Sequence, residues 1–113
     1  MRTITVGGRT QIAEKVFSDC LTILYTKGTD TAGITKDANL NFHKLAEDTG
    51  LTKYQIWLVY IKKHLFRLEG AIANGSLELK GESIKDSIRD IINYMVILES
   101  LIEEDKEDPS GNA

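Results

Sequence analysis

The stretch SIKDSIRDIINYMVILESLIEE, residues 83–104, decides the fold of this chain. Its apolar residues recur every three or four positions, which is the spacing of an amphipathic helix and not the alternation of a strand. The stripe expected to face the core contains Ile84, Ile88, Ile91, Met95, Leu98 and Ile102. Ser83 stands where an N-cap is expected, and Asp86 suits the positive end of the helix dipole. We therefore predict a long final helix that ends near Glu104.

The same helix has a second edge, about half a turn from the core stripe, that is polar first and apolar later. Asp86, Asp90 and Asn93 occupy its first half at i, i+4, i+7 spacing, and Ile97 and Leu101 follow. The carboxylates could bind Mg²⁺ or ribose hydroxyls, or they could lie on a solvated edge beside cations of the same helix. Because a helix that is apolar on two sides is usually packed on both, we expect an interhelical cleft and a homo-oligomer, either a dimer or a tetramer.

Three more helices are predicted upstream, which makes an all-α, four-helix bundle-like domain. They cover residues 9–26, 35–49 and 52–73. Gly7-Gly8 is expected to end a short extended segment, residues 3–6, that could pair across a subunit interface, and residues 27–33 form a loop by composition. Residues 1–104 are expected to form one helical domain, and 105–113 a flexible acidic and polar tail.

Composition favours one globular domain. Its 113 residues, 27% charged and 42% hydrophobic, suffice for a single core. A net charge of -3 argues against a large surface for nucleic acid. Cys20 is the only cysteine, so it makes neither an intrachain disulfide nor a multi-cysteine zinc site. With no charged leader before an apolar run and no stretch near the ~18 apolar residues of a membrane span, we expect a cytoplasmic protein that does not bind membranes.

Candidate ligand-binding residues also occur outside the final helix. On helix three Tyr60, Lys63 and Arg67 share one edge, which suits a base with its phosphates. The alternative is that Tyr60 packs while the two cations extend over apolar surface. Lys27 continues the inner stripe of helix one, so its ammonium could reach the same cleft or could cap the helix C-terminus.

Two local signals are weaker. Residues 7–10 could form an anion-binding turn assisted by Arg9, but they lack the full phosphate-loop pattern, and a flexible joint with Thr10 near the N-cap is the simpler interpretation. His43 and His64 lack a metal-ligand spacing, so we expect both to be packing or surface residues.

A helix-turn-helix pattern supports a DNA-binding alternative. Ala46, Gly50 and Ile56 provide the small residue, the turn glycine and the apolar residue at the spacing of that motif. Glu47 and Asp48 make the first helix acidic, and the whole chain is negative. Nucleic acid is therefore not the expected partner.

A set of spaced residues links the chain to a known group. The set is Lys27, Asp30, Asn41-Phe42, Leu45-Ala46, Lys63, Arg67, Glu82-Ser83, Asp86, Asp90, Asn93 and Tyr94. Across residues 17–103 this order resembles small phage and bacterial proteins related to the all-α nucleoside triphosphate pyrophosphohydrolases, the MazG-like group. Catalytic members of that group hold magnesium with an E-x-x-E pair on one helix and an E-x-x-D pair on the next. Helix three here has no E-x-x-E, so the resemblance implies a domain that holds a nucleotide and does not cut it.

The leading hypothesis from sequence is a non-catalytic nucleotide-binding homo-oligomer that needs no cofactor. Its ligand-binding residues are Arg9, Lys27, Tyr60, Lys63, Arg67, Asp86, Asp90, Asn93 and Tyr94. By size and ligand class it resembles viral sponges, such as the oligomeric anti-CBASS and anti-Thoeris proteins, that sequester cyclic-nucleotide alarm signals of antiphage defence. The resemblance implies a phage protein acting in the host cytoplasm, with a cyclic dinucleotide or a related signal as ligand.

The enzymatic alternative is Mg²⁺-dependent release of pyrophosphate from a (d)NTP. It would use Glu82, Asp86 and Asp90, with Asp30 or Glu47, to hold the metal.

Overall fold

The computed structural model describes residues 1–32, 37–77 and 81–106, except for the side chains of 30–32 and 81–83. Within these ranges the chain forms four helices and no strand. They are α1 (Val6–Ala32), α2 (Leu40–Thr49), α3 (Lys53–Ala73) and α4 (Gly81–Glu104). The predicted all-α, four-helix architecture is confirmed. None of the helices in the described ranges combines the length and the apolar character that crossing a membrane requires.

α3 and α4 lie side by side in opposite directions and carry most of the core. Lys53, at the start of α3, contacts the main chain of Leu101 near the end of α4, whereas His64 lies beside Asp90. α3 begins with a capping box, because the Thr52 hydroxyl accepts from the amide of Gln55 and the Gln55 side chain accepts from the amide of Thr52. The buried core cluster consists of Phe42, Ile56, Trp57, Ile61 and Leu101.

α2 folds over the first half of α3. It ends at Gly50, whose φ of 73° is left-handed and whose amide donates to Ala46 at 3.0 Å. Phe42 then packs edge-on against Tyr60 with 5.7 Å between ring centroids. α2 therefore covers one side of the α3–α4 pair.

Only the second half of α1 packs against α4. The Asn93 side chain donates to the carbonyl of Cys20 at 3.1 Å, and the Arg89 guanidinium lies 3.0 Å from Asp19. The first turns of α1 extend past the other helices, where Val6 is 76% and Ile12 is 50% exposed. The single chain is consequently elongated, with a Cα radius of gyration of 17.1 Å and extents of 54 × 31 × 23 Å.

The prediction that Gly7-Gly8 breaks the chain before helix one is wrong. α1 begins at Val6, and Thr5 caps it by accepting from the amide of Gly8 at 3.0 Å. A β-carbon on Gly8 would lie 3.2 Å from that hydroxyl, so glycine leaves room for the cap. Thr10, predicted near the N-cap, lies within the helix and donates to the Val6 carbonyl.

α1 also runs further than the sequence indicates, through most of the predicted loop 27–33 to Ala32. The helix continues through Gly28 and Thr29 although both residues have weak helix propensity. In this turn Lys27 forms an ion pair with Asp90 of α4. The predicted start of helix two at residue 35 lies outside the described residues, and α2 is seen from Leu40.

The core face of α4 is rotated from the predicted stripe. Leu101 is 0% exposed although it was assigned to the second edge, whereas Ile88, Met95 and Ile102 of the core stripe are 37%, 50% and 45% exposed. α4 begins at Gly81, so Ser83 lies inside the helix and is not its N-cap. At the other end Asp105, assigned to the tail, is bound by Lys53 and Tyr54.

Candidate functional site

A cleft of about 390 Å³ lies between the four helices. The second half of α1 and the start of α2 form its sides, and α3 and α4 form its base. Its lining includes Lys27, Asn39, Tyr60, Asp90, Asn93 and Tyr94. This volume is typical of small-molecule sites in proteins, which are mostly apolar with a few fixed polar groups.

Two tyrosines form an aromatic wall of the cleft. The rings of Tyr60 and Tyr94 lie nearly parallel, with centroids 6.2 Å apart and 14° between their planes. His64 contacts the other side of Tyr94 at 5.2 Å. Burial, then the charge of Asp90 and the neighbouring Tyr60, raise the pKa of the Tyr94 phenol above its usual value. Tyr94 is therefore a neutral hydrogen-bond donor at physiological pH.

An ion pair marks the mouth of the cleft. The Lys27 ammonium lies 3.4 Å from the Asp90 carboxylate, and 70% of the Lys27 side chain is exposed. The other oxygen of Asp90 lies 3.8 Å from the His64 ring nitrogen. Of the two alternatives for Lys27, the structure thus favours the cleft over a helix cap, and an exposed ammonium of this kind can exchange its partner for a ligand anion.

Asn93 is held by the fold itself. It is 6% exposed, and its amide nitrogen donates to the Cys20 carbonyl across the α1–α4 contact. Cys20 is buried beside it, and this burial raises the pKa of its thiol. The predicted ligand contact of Asn93 is therefore secondary to its part in holding α1.

Four of the predicted residues do not line the cleft. Lys63 and Arg67 are exposed on α3. The Lys63 ammonium lies 5.8 Å from the centroid of the Tyr60 ring, and Tyr60 is its link to the cleft. Asp86 is exposed one turn before Asp90. Arg9 stands on the same helix as Lys27 but 18 residues earlier, which places them about 27 Å apart. Within one chain Arg9 cannot share a ligand with Lys27.

Two further residues, Asn39 and Ser100, line the cleft although the sequence pattern did not predict them. Asn39 is 7% exposed, and its amide donates to the Ser100 hydroxyl at 3.0 Å, so it joins α2 to α4 at the cleft. Ser100 lies seven residues after Asn93. Continuing the polar edge of the final helix by two more turns would have found it. Asn39 precedes α2 and has no helical spacing that could reveal it.

A second polar group, also missed, joins α2 and α3 to the end of α4. The His43 ring lies 2.6 Å from Glu104 and 3.5 Å from Asp37. Lys53 lies 3.3 Å from Glu104 and 2.7 Å from Asp105. Burial alone would lower the pKa of Lys53, but its bonds to the two carboxylates raise it. Burial likewise opposes ionisation of Glu104, yet His43 and Lys53 lower its pKa overall.

This group has the donor spacing of a metal site but already contains a cation. Oxygen and nitrogen atoms of Asp37, His43 and Glu104 lie within 4.8 Å of one another. Lys53 contacts the second oxygen of Glu104. The group therefore joins the starts of α2 and α3 to the end of α4. Asp86 and Asp90 belong to no such group in the described part of the chain. Of the other residues in the predicted magnesium set, Glu47 is exposed on α2, and the side chains of Asp30 and Glu82 lie outside the described residues.

α2, the turn at Gly50 and α3 follow one another in the order of a helix-turn-helix motif, but the start of α3 does not have the features of a recognition helix. The first turn of α3 is fixed to α4 through Lys53. Leu58 and Val59 are 45% and 55% exposed on the next turn, where contacts to DNA phosphates or base edges require polar side chains.

The chain matches no protein-family model, no curated protein and no solved structure. Its function is therefore argued from the cleft and the surfaces of the molecule.

Proposed function

We propose that the cleft binds a nucleotide without hydrolysing it. The observation that carries this proposal is the meeting of an aromatic wall, buried amides and an exposed ammonium in one cleft of about 390 Å³. The base packs against Tyr94 and Tyr60, since aromatic faces stack on any base. The phosphates lie at the mouth, where Lys27 is the nearest cation and Lys63 is the next.

The polar groups of the cleft suit a sugar or a base edge. Exchange of Lys27 from Asp90 to a phosphate frees a carboxylate oxygen that can accept from a ribose hydroxyl. The neutral Tyr94 phenol and the exposed Asn41 amide both line the cleft and can donate to ring nitrogens or carbonyls. Each contact is of ordinary strength, so the set favours selective binding over very tight binding.

The charges around Asp90 support retention of the ligand over hydrolysis. Asp90 is the one carboxylate among the described cleft-lining residues, and it already faces the Lys27 ammonium. A catalytic magnesium ion needs several converging oxygens, and a neighbouring ammonium opposes its binding.

The proposed biological role is sequestration of a signalling nucleotide by a homo-oligomer, as in a viral countermeasure to bacterial defence. A cyclic dinucleotide has two bases. One would occupy the cleft, and the other would extend along the rim toward Lys63 and Arg67, both of which are exposed. Sequestration requires only that the complex with the nucleotide last longer than the time that a free nucleotide takes to reach its receptor.

The test is incubation of the purified protein with cyclic dinucleotides, nucleoside triphosphates and Mg²⁺, followed by native mass spectrometry and chromatography of the nucleotides. Retention of one intact ligand per cleft supports the proposal. Catalytic appearance of monophosphate and pyrophosphate would instead establish the pyrophosphohydrolase. The absence of both retention and hydrolysis for every nucleotide at millimolar concentration would refute both.

Two comparisons locate the ligand, one between two variants and one between two ligands. Asn41→Trp fills the cleft from α2 and should abolish retention, whereas Lys44→Trp, exposed on the same helix outside the lining, should not. Lys27→Met should weaken a phosphorylated ligand about tenfold and leave the corresponding nucleoside unchanged, because one charge-assisted contact is lost. Equal weakening of both ligands would place the phosphate elsewhere.

A further inference from the structure

The side of the α3–α4 pair that faces away from the cleft is apolar and uncovered in the single chain. Its exposed residues, here called the outer face, are Leu58, Leu65 and Ile72 on α3 and Ile88, Met95 and Ile102 on α4. Their exposed fractions range from 37% at Leu65 and Ile88 to 60% at Ile72. A contiguous apolar patch of this size on a small protein marks an interaction surface.

Both helices carry the same spacing along this side. Apolar or aromatic residues separated by 4, 3, 4, 3 and 4 positions are Tyr54, Leu58, Ile61, Leu65, Leu68 and Ile72 on α3, and Ile84, Ile88, Ile91, Met95, Leu98 and Ile102 on α4. This is the a/d pattern of helices that pack in bundles. Alternate members, such as Ile61 and Ile84, are buried within the chain, and the others form the outer face.

The outer face lies opposite the cleft. Tyr60 on α3 and Asn93 on α4 point to the side that α2 and α1 cover, through Phe42 and Cys20 respectively. Because α3 and α4 are antiparallel, their two exposed rows turn to the same opposite side and run next to each other. Each row spans 14 residues, or about 21 Å.

We propose that the outer face docks on the outer face of a second copy, so that α3 and α4 of two chains form one intermolecular four-helix bundle. A matching spacing on both helices allows either helix of one chain to pack against the partner around a two-fold axis. The exposed charges along the rows include Lys62 and Glu69 on α3 and Lys85, Glu99 and Glu103 on α4. Because both signs stand on each helix, a second copy can set lysines against glutamates, whereas a strongly acidic or strongly basic partner would meet like charges.

The area fits a dimer of modest stability. The six residues expose about 550 Å² per chain, so pairing removes about 1,100 Å² in total, close to the lower limit for a specific interface. Pairing adds a helical layer to the exposed side of the α3–α4 pair. The inference does not depend on what the cleft binds.

The test compares Leu65→Glu, at the centre of the outer face, with Leu21→Glu, a control on α1 that is 69% exposed. Sedimentation is followed from about 1 µM to about 200 µM, which brackets the dissociation constant of such an interface. The wild-type chain and Leu21→Glu should approach twice the chain mass of 12.6 kDa as the concentration rises through this range. Leu65→Glu should raise the dissociation constant at least about 100-fold, because it buries two unpaired carboxylates per dimer.

Met95→Glu is an independent second variant and should dissociate the dimer in the same way. Both positions are exposed in the single chain, so circular dichroism should show unchanged helix content in both variants. A wild-type chain that stays monomeric at the highest concentration would overturn the proposal. So would a dimer that survives both outer-face variants, since another surface would then hold it.

Discussion

The Asn93 carboxamide is a buried polar group whose orientation is set by two helices. Its nitrogen donates to the Cys20 carbonyl at 3.1 Å, and only 6% of the residue is exposed. A buried donor of this kind is stabilising because its removal would leave the Cys20 carbonyl buried without a hydrogen bond from it. The i, i+4, i+7 pattern correctly brought Asn93 to the cleft, but its strongest contact is with the protein.

Replacing Asn93 by aspartate tests this at the residue scale. The shape is kept, but a carboxylate oxygen now faces the Cys20 carbonyl, so we expect the free energy of unfolding to fall by about 2–3 kcal/mol at neutral pH. Chemical denaturation of the ligand-free protein measures the change.

Asn41→Asp is the matched control. Asn41 lines the cleft but is exposed, so its replacement should change the free energy of unfolding by less than about 0.5 kcal/mol. Equal effects at the two positions would show that the bond to Cys20 contributes little.

At the scale of elements, Lys53 joins the start of α3 to the end of α4. Its ammonium donates to the Leu101 carbonyl at 2.9 Å and contacts Glu104 and Asp105. A cation beside the last carbonyls of α4 also complements the helix dipole. Lys53 lies on α3, whereas Glu104 and Asp105 lie at the end of α4, so no spacing within one helix predicts their contact.

These contacts of Lys53 predict that the free energy of unfolding depends on pH. Glu104 and Asp105 have lowered pKa values in the folded chain, so they contribute stability above their usual values of 4.5 and 3.8 and lose it as the pH falls through the lower, folded values. Lys53→Met should lower the free energy of unfolding by about 1–3 kcal/mol at pH 7. The difference from wild type should shrink steadily below about pH 4.5.

The measurement is urea denaturation at a series of pH values, with Lys62→Met as the control. Lys62 is exposed and distant from the end of α4, so its replacement should leave the acid limb unchanged. A Lys53→Met protein whose deficit stays constant down to pH 2 would show that the carboxylates are not the partners that matter.

The whole molecule has two surfaces with different chemistry. The cleft, with Lys27 and Asp90 at its mouth, lies on the side covered by α1 and α2, and the outer face lies on the other side of the α3–α4 pair. The two are separated by the thickness of the helices, so ligand binding and the proposed pairing should be independent to a first approximation.

A cross-comparison of the two sets of variants tests this separation. Leu65→Glu should become monomeric yet bind nucleotide within about twofold of the wild-type affinity, because no ligand contact is lost. Asn41→Trp should lose the ligand and keep the dimer mass. Loss of both properties in either variant would show that the cleft is completed by the partner chain.

The sequence by itself determined the helical class, the number of helices and the end of α2, because 3.6-residue periodicity and the turn glycine Gly50 are local features. It also selected Lys27, Tyr60, Asp90, Asn93 and Tyr94, which the structure brings to one cleft. Helical spacing shows which side chains share an edge of one helix.

Only the tertiary structure decided which edge faces inward. Periodicity gives the direction of an apolar stripe but not the neighbour that covers it, so Leu101 is buried and Met95 is 50% exposed although the pattern favoured the reverse. The same limit hid the Lys53–Glu104 contact and the bond from Asn39 to Ser100, each of which joins residues far apart in the chain. It also hid the true length of α1, in whose later part the ion pair from Lys27 to Asp90 joins residues 63 positions apart.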